Sequence, residues 1–474
     1  MKLLLSLLVP SLAVAASAAE ADVAKPPAAF RDVDASPLAW KTAEPAEHLA
    51  RGEWWKLYRD PALDELASRA LAANQDLRAA AARVEQARAA AGAARSAFWP
   101  QVSFNASAVR ERTSRTTDNV FPAPLTTTYR APLGASWEID LFGRVRRSSE
   151  SAAAEADASA ANFEAVRLAL TAEVAANYFA LRALDRELAL LRDTVALRRR
   201  ASELIGARYR SGAAAEIDTV RAETELATAE AETAAVAQRR ATVQNALAVL
   251  IGAAAPDFTF AAATEPLREP PVVPPGLPAE LLERRPDVAA AERSLAAANA
   301  RIGLARAAFF PAISLTGGAG FASGDIDLLA NADSRIWSLG PSIYLPIFQG
   351  GRNRANLARS HAAYDEAVAA FRQRVLVAFR EVQDALTATA LLATQSSAQD
   401  RALAAARRAT ELAQIRYDAG FVSYLDVIDA QRTALAIERA SVQLTAARFV
   451  TSVSLIRALG GGWHRPLPVA IAAQ

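Results

Sequence analysis

The side chains best able to do chemistry are few and scattered. Histidine occurs only at positions 48, 361 and 464, and cysteine is absent. Metal ligands come grouped, so three distant imidazoles and no thiolates argue against a metal centre, and no disulfide can form. Neither a Ser-His-Asp spacing nor a phosphate-binding loop is present, so an enzyme is the weakest reading and no cofactor is implied. Carboxylates remain, and they are spread along helical stretches. Asp426 and Asp429 stand out within Tyr424-Leu-Asp-Val-Ile-Asp-Ala-Gln-Arg432. Three residues apart, they share one helical face. Such a pair can favour cations in a constriction, or it can simply stabilise a helix start through the macrodipole.

The elements that would hold these residues are long. Lys and Arg total 53 against 51 Asp and Glu, and no basic block points to nucleic acid. Lys2, the apolar run Leu3 to Val14 and Ala16-Ser17-Ala18 read as a secretory signal, residues 1–18. No later segment is apolar for long enough to be a transmembrane helix, so any membrane crossing must be a closed β-barrel.

Tyr129 to Leu141 alternates with period two. Tyr129, Leu133, Trp137 and Ile139 point one way, and Arg130, Ser136 and Glu138 the other. Pro132 on the wet side predicts an edge or a bulge. After Gly143 no proline occurs until Pro256, and the composition becomes that of very long helices. The same sequence of events recurs. Trp337, Leu339, Ile343, Leu345 and Ile347 line one strand face, and a proline-free run follows as far as Pro466. Two shorter strands precede these, one with Val102, Phe104, Ala106 and Ala108 on its oily face, one with Ile313, Leu315, Ala319 and Phe321. Arg416-Tyr-Asp-Ala-Gly420 echoes Arg208-Tyr-Arg-Ser-Gly212 at a shift of 208, a duplication signal. Heptads run through Val220, Ala227, Ala234, Ala241 and Ala248, and through Phe421, Ile428, Leu435, Val442, Phe449 and Ile456.

These signals divide the chain into a signal peptide (1–18), an extended arm (19–60), a first repeat (61–262), a Pro-rich linker (263–280), a second repeat (281–462) and a tail (463–474). The first repeat is one helix from Pro61 to about Phe98, a β-hairpin at 101–141 and a helical hairpin at 142–251. The second is a helix, a β-hairpin at 312–348 and a helical hairpin at 350–459. Four amphipathic strands are too few for a membrane barrel, which starts at about eight. Open edges are forbidden in lipid, so several copies would have to pool their strands. The expected fold is therefore an internally duplicated α+β membrane protein with four transmembrane strands per chain and long helical hairpins.

The chain resembles the TolC/OprM-type outer-membrane efflux proteins, most of all the NodT-like subgroup. The resemblance rests on Trp55-Lys-Leu-Tyr-Arg-Asp-Pro61, Asp140-Leu-Phe-Gly-Arg144, Leu281-Leu-Glu-Arg-Arg-Pro-Asp-Val288, the Tyr424–Arg432 segment and Ala458-Leu-Gly-Gly-Gly-Trp463. It implies a homotrimer with a 12-stranded barrel in the outer membrane of a Gram-negative cell and a helical tunnel in the periplasm. It further implies a periplasmic adaptor and an inner-membrane RND-type transporter as partners, and a passive duct for drugs or other small molecules. The lipidated cysteine usual in NodT-type relatives is missing. By resemblance, Asp426, Asp429 and Leu425 form the periplasmic gate, and Asp218 with Tyr417 forms a tip latch through a hydrogen bond. Gly212, Ala213, Gly420 and Val422 fall where adaptors dock, although the glycines equally suit helix caps. A type I protein secretion channel would share this fold, and a soluble periplasmic coiled-coil scaffold is the reading from another class.

Overall fold

The computed structural model describes residues 52–114, 116, 125–263, 265, 267, 269–273 and 284–462. The signal peptide, the arm up to Arg51, the outer end of the first β-hairpin, most of the Pro-rich linker and the tail from Trp463 lie outside the described residues.

The chain enters through a 3-10 turn, Trp54–Tyr58, that drops both tryptophans into the core. Asp60 then caps α1 (Pro61–Ala73), accepting from the amides of Ala62 at 3.1 Å and Leu63 at 3.4 Å. The single helix expected from 61 to 98 is two helices. Asn74 breaks it: its Oδ1 caps α2 (Gln75–Ser96) by accepting from Leu77 N at 2.9 Å, and its Nδ2 donates to Leu250 O at 2.9 Å. A side chain that satisfies both an orphan helix amide and a distant carbonyl outweighs helix propensity at that position.

Strands β1 (Gln101–Phe104) and β2 (Ser107–Arg112) both pair antiparallel with β3 (Leu125–Ile139), which pairs with β4 (Ala312–Ser323), which pairs with β5 (Arg335–Tyr344). β1 and β2 share one register against β3 and are one strand path with a gap at Asn105 and Ala106. Pro132 explains the gap. The Asn105 amide donates to Pro132 O at 3.2 Å, but proline has no N–H to return. Pro132 thus lies at neither edge nor bulge. It sits in an interior strand, and its neighbour gives way instead. On its other side stands Gly320, where a Cβ would fall 2.5 Å from the Pro132 Cα.

The register aligns the apolar positions across all strands. Val102, Ala135, Gly317 and Leu339 form one row, and Phe104, Leu133, Ala319 and Trp337 another. The adjacent row on the opposite face is Gln101, Ser136, Thr316 and Gly340. Much of the apolar face is exposed in the single chain, with Trp337 82% exposed, while Ile313, Leu315 and Phe321 are half-buried. The last strand ends at Tyr344, so Leu345 and Ile347 lie beyond it, where Pro346 stops the ladder. Leu141 likewise lies past β3.

Long helices follow both hairpins. α3 (Arg144–Arg210) and α6 (Arg352–Asp418) have 67 residues each, and α4 (Glu216–Leu250) and α7 (Tyr424–Ala458) have 35. A 67-residue helix is about 100 Å long. α6 and α7 begin 208 residues after α3 and α4, whereas α5 (Pro286–Ala307) begins 211 after α2. The second β-hairpin is therefore three residues tighter. No helix among the described residues is long and apolar enough to cross a membrane.

The main core lies where α1, α3, α4 and α7 meet, around Trp54, Leu63, Tyr178, Phe179, Leu247 and Phe449. The Phe179 and Phe449 rings are 4.4 Å apart. Residues 258–263 are strapped to this core by Asp185, which accepts from Arg240 Nε at 2.5 Å and from the Ala263 amide at 3.1 Å. A smaller core joins α5, α6 and α7 through Val288, Val375, Val382 and Leu455. In the α7 series Ile428, Phe449 and Ile456 are buried and Leu435 and Val442 half-buried, while Phe421 ahead of the helix is exposed. The α4 series is buried only at Ala248. Val220, Ala227, Ala234 and Ala241 are exposed, and the buried series there is Ala222, Ala229 and Val236.

Candidate functional site

Both helical hairpins turn sharply at one end, and the turn is built the same way twice. Gly212 has φ +77° and Gly420 φ +79°. At the first turn the Ala213 amide donates to Arg208 O and Gly212 to Tyr209 O; at the second Phe421 donates to Arg416 O and Gly420 to Tyr417 O. This is the paired capping pattern that a glycine in the left-handed region permits. No atom would obstruct a Cβ on either glycine, so backbone conformation alone selects the residue.

The two turns are held together by aromatic and basic side chains. Arg208 Nη1 donates to Tyr417 Oη at 3.0 Å, with the guanidinium 5.9 Å from the ring centroid. Tyr417 packs on Tyr424 at 5.7 Å. Burial raises the Tyr424 phenol pKa, and the nearby Tyr417 and Glu225 add to the effect. The expected Tyr417–Asp218 hydrogen bond is not formed. Arg208 occupies the Tyr417 hydroxyl, and Asp218 lies 3.9 Å from Arg221 one helical turn away.

Asp426 and Asp429 take different roles. Asp426 closes a capping box with Ser423, accepting from its hydroxyl at 2.6 Å and its amide at 2.9 Å. These bonds, the hydroxyl's first, hold its carboxyl below the usual carboxylate range. The helix-start reading therefore holds for Asp426. Asp429 is exposed, and its carboxylate makes no hydrogen bond or ion pair among the described residues. The duplication sharpens the contrast. Positions 218 and 221 of the first hairpin carry Asp and Arg, whereas positions 426 and 429 carry two aspartates. A compensated pair in one repeat is an acidic pair in the other. Leu425, Gly212, Ala213 and Gly420 are exposed, and Val422 is half-buried.

Above the tip, buried charges tie hairpin to hairpin. Glu225 on α4 is 4% exposed and pairs with Arg198 on α3 at 3.0 Å and with Arg432 on α7. Glu187 on α3 accepts from Arg439 on α7 at 2.8 Å, and Arg439 also reaches Glu232 at 3.0 Å. Sequence reasoning missed this ladder, although its signal was present: Glu225 and Glu232 are seven apart, as are Arg432 and Arg439. Nothing here resembles a reaction centre, and no cluster among the described residues could hold a metal.

A family model for outer membrane efflux proteins matches residues 66–253 and 277–461. The solvent efflux pump outer membrane protein SrpC of Pseudomonas putida is 38% identical over 410 residues, covering 86% of this chain and 87% of that protein. The pyoverdine export outer membrane protein OpmQ of Pseudomonas putida is 35% identical over 442 residues, covering 92% and 93%. The crystal structure of the Campylobacter jejuni CmeC outer membrane channel superposes with a TM-score of 0.84 at 26% identity, covering 90% of this chain and 94% of that one.

Proposed function

The chain belongs to the outer membrane efflux protein family, and from that premise we propose that three copies pool their strands into one 12-stranded barrel. The protein is an efflux channel of the outer membrane. The observation that supports the pooling is the sheet itself. Four strand paths run side by side with two unpaired edges among the described residues, and Val102, Phe104, Leu133, Trp337, Leu339 and Ile343 on the apolar face are exposed. Lipid tolerates neither an open edge nor a polar face, so the edges must meet those of other copies and the polar row must face water. The helical hairpins then continue the bore as a periplasmic tunnel.

The protein performs no chemistry. It is the exit duct of a tripartite pump, with a periplasmic adaptor and an inner-membrane RND-type transporter supplying the cargo. Small molecules are the cargo class, in keeping with the solvent and pyoverdine named for its relatives. Residues 1–18 serve as the export signal, and the duplicated halves 61–262 and 281–462 flank the 263–280 linker. The inner mouth is the regulated part. Three copies of Asp429, with Asp426 one turn before it, form an acidic ring that attracts cations, and Leu425 narrows it. Tyr417 latches the two hairpins of a copy through Arg208, while Asp218 supports the turn. Gly212, Ala213, Gly420 and Val422 present the adaptor-docking surface.

Light scattering of the purified mature protein in detergent tests the pooling. A mass of three chains is expected, and a stable monomer would sink the duct. Co-purification with candidate periplasmic adaptors tests the partner.

A further inference from the structure

The internal duplication allows contacts inside one copy to be carried over to contacts between copies, and this inference rests on the trimer proposed above. Within the chain, α7 of the second hairpin packs against α3 of the first. Leu435 packs against the cluster of Leu188, Leu191 and Val236, Phe449 meets Phe179, and Arg439 meets Glu187. Moved by one repeat, that interface becomes α4 of one copy against α6 of another. The uncovered surface matches. Ile428 on α7 is 4% exposed, whereas its duplicate Val220 on α4 is 53% exposed. Leu168 on α3 is 7% exposed, whereas its duplicate Leu376 on α6 is 53% exposed. The stripe that α7 buries or half-buries from Ile428 to Phe449 is the same stripe that α4 leaves exposed from Val220 to Ala241.

One polar contact of the first interface has a duplicate as well. Arg208 bonds Tyr417 within the chain. The residues one repeat away are Arg416 and Tyr209. Both are exposed, and neither side chain makes a hydrogen bond or ion pair among the described residues. Arg416 is near enough to Asp426 to help depress its carboxyl, but it forms no ion pair with it. We propose that Arg416 of each copy donates to the hydroxyl of Tyr209 of the partner subunit. The periplasmic tip is then closed by a continuous ring of arginine–tyrosine contacts, alternately within and between copies. A second copy of this chain brings the duplicate pair at the same spacing.

The natural chain has no cysteine, which makes cross-linking clean. A long arginine–tyrosine contact holds its backbones too far apart for a direct disulfide, so a bis-maleimide with a flexible spacer is used. The probe is a full-length chain carrying Tyr209→Cys and Arg416→Cys, with Arg208→Cys and Tyr417→Cys as the intramolecular control. Covalent dimers and trimers on a denaturing gel are expected for the first chain, and monomers with consumed thiols for the control. Monomers from the first chain while light scattering reports an intact trimer would overturn the contact and leave the pooled barrel standing. A monomeric mass before cross-linking would overturn both. Conductance provides a second measurement without cysteines. Tyr209→Phe and Arg416→Gln should each open the channel at least about twofold, and the double variant no further. Additive effects, or none, would overturn the pairing.

Discussion

Asp426 and Asp429 stand three residues apart and face the same way, yet only one is spoken for. Ser423 holds the Asp426 carboxylate in a capping box, while the Asp429 carboxylate makes no hydrogen bond or ion pair among the described residues and interacts only at a distance with Arg432. Substitution should separate them. Asp429→Asn removes charge without loosening any contact, so cation preference in single-channel recordings should fall while helicity is unchanged. Asp426→Asn should also fray the start of α7, speeding amide exchange over 424–428 several-fold. The pH dependence has a fixed sign. A carboxyl whose folded pKa is depressed contributes stability above its unfolded value and loses it as pH falls through the folded one. Protection at the α7 start should therefore persist through neutral pH and fade only below about pH 4. Fading between pH 5 and 6 would show that the capping box is not what holds this end.

At the level of elements, the helical hairpins are joined by buried charge as much as by apolar packing. Glu187 is 2% exposed and depends on Arg439, with Arg239 at 3.5 Å as a lesser partner. Arg439→Met strands a buried carboxylate, an omission that costs about 3–5 kcal/mol. The dissociation temperature of the purified protein should drop, and Glu187→Gln added to Arg439→Met should restore most of the loss. If the single variant melts like the parent, the ladder carries no weight. The strands are organised by absence of a group. Pro132 withholds one N–H, and β1 and β2 separate at that point without changing register. A ladder can skip one bond, but a shift of one residue would turn every apolar side chain to the wrong face.

At the scale of the molecule, the apolar sheet face needs a medium. Trp137 and Trp337 lie on it, one 38% and the other 82% exposed in the single chain. In vesicles, lipids brominated on the acyl chain should quench much of the emission that these two residues add over Trp137→Phe and Trp337→Phe variants. Quenching by aqueous iodide instead would show that this face meets water.

The period-two strands, the two proline-free runs and the shift of 208 were legible in the residues, because periodicity and proline are local properties that burial merely enforces. The two tip glycines were legible for the same reason: a left-handed cap selects its residue on backbone grounds alone. The partner of Tyr417 was not, since Arg208 reaches it from 209 positions away and nothing in either segment distinguishes it from Asp218. Nor was the break at Asn74, which depends on Leu250 O lying within reach. Which heptad stripe of α4 turns inward was also decided in three dimensions. Alanine suits a buried seam or an exposed one, and only the placement of α3 and α7 chose between them.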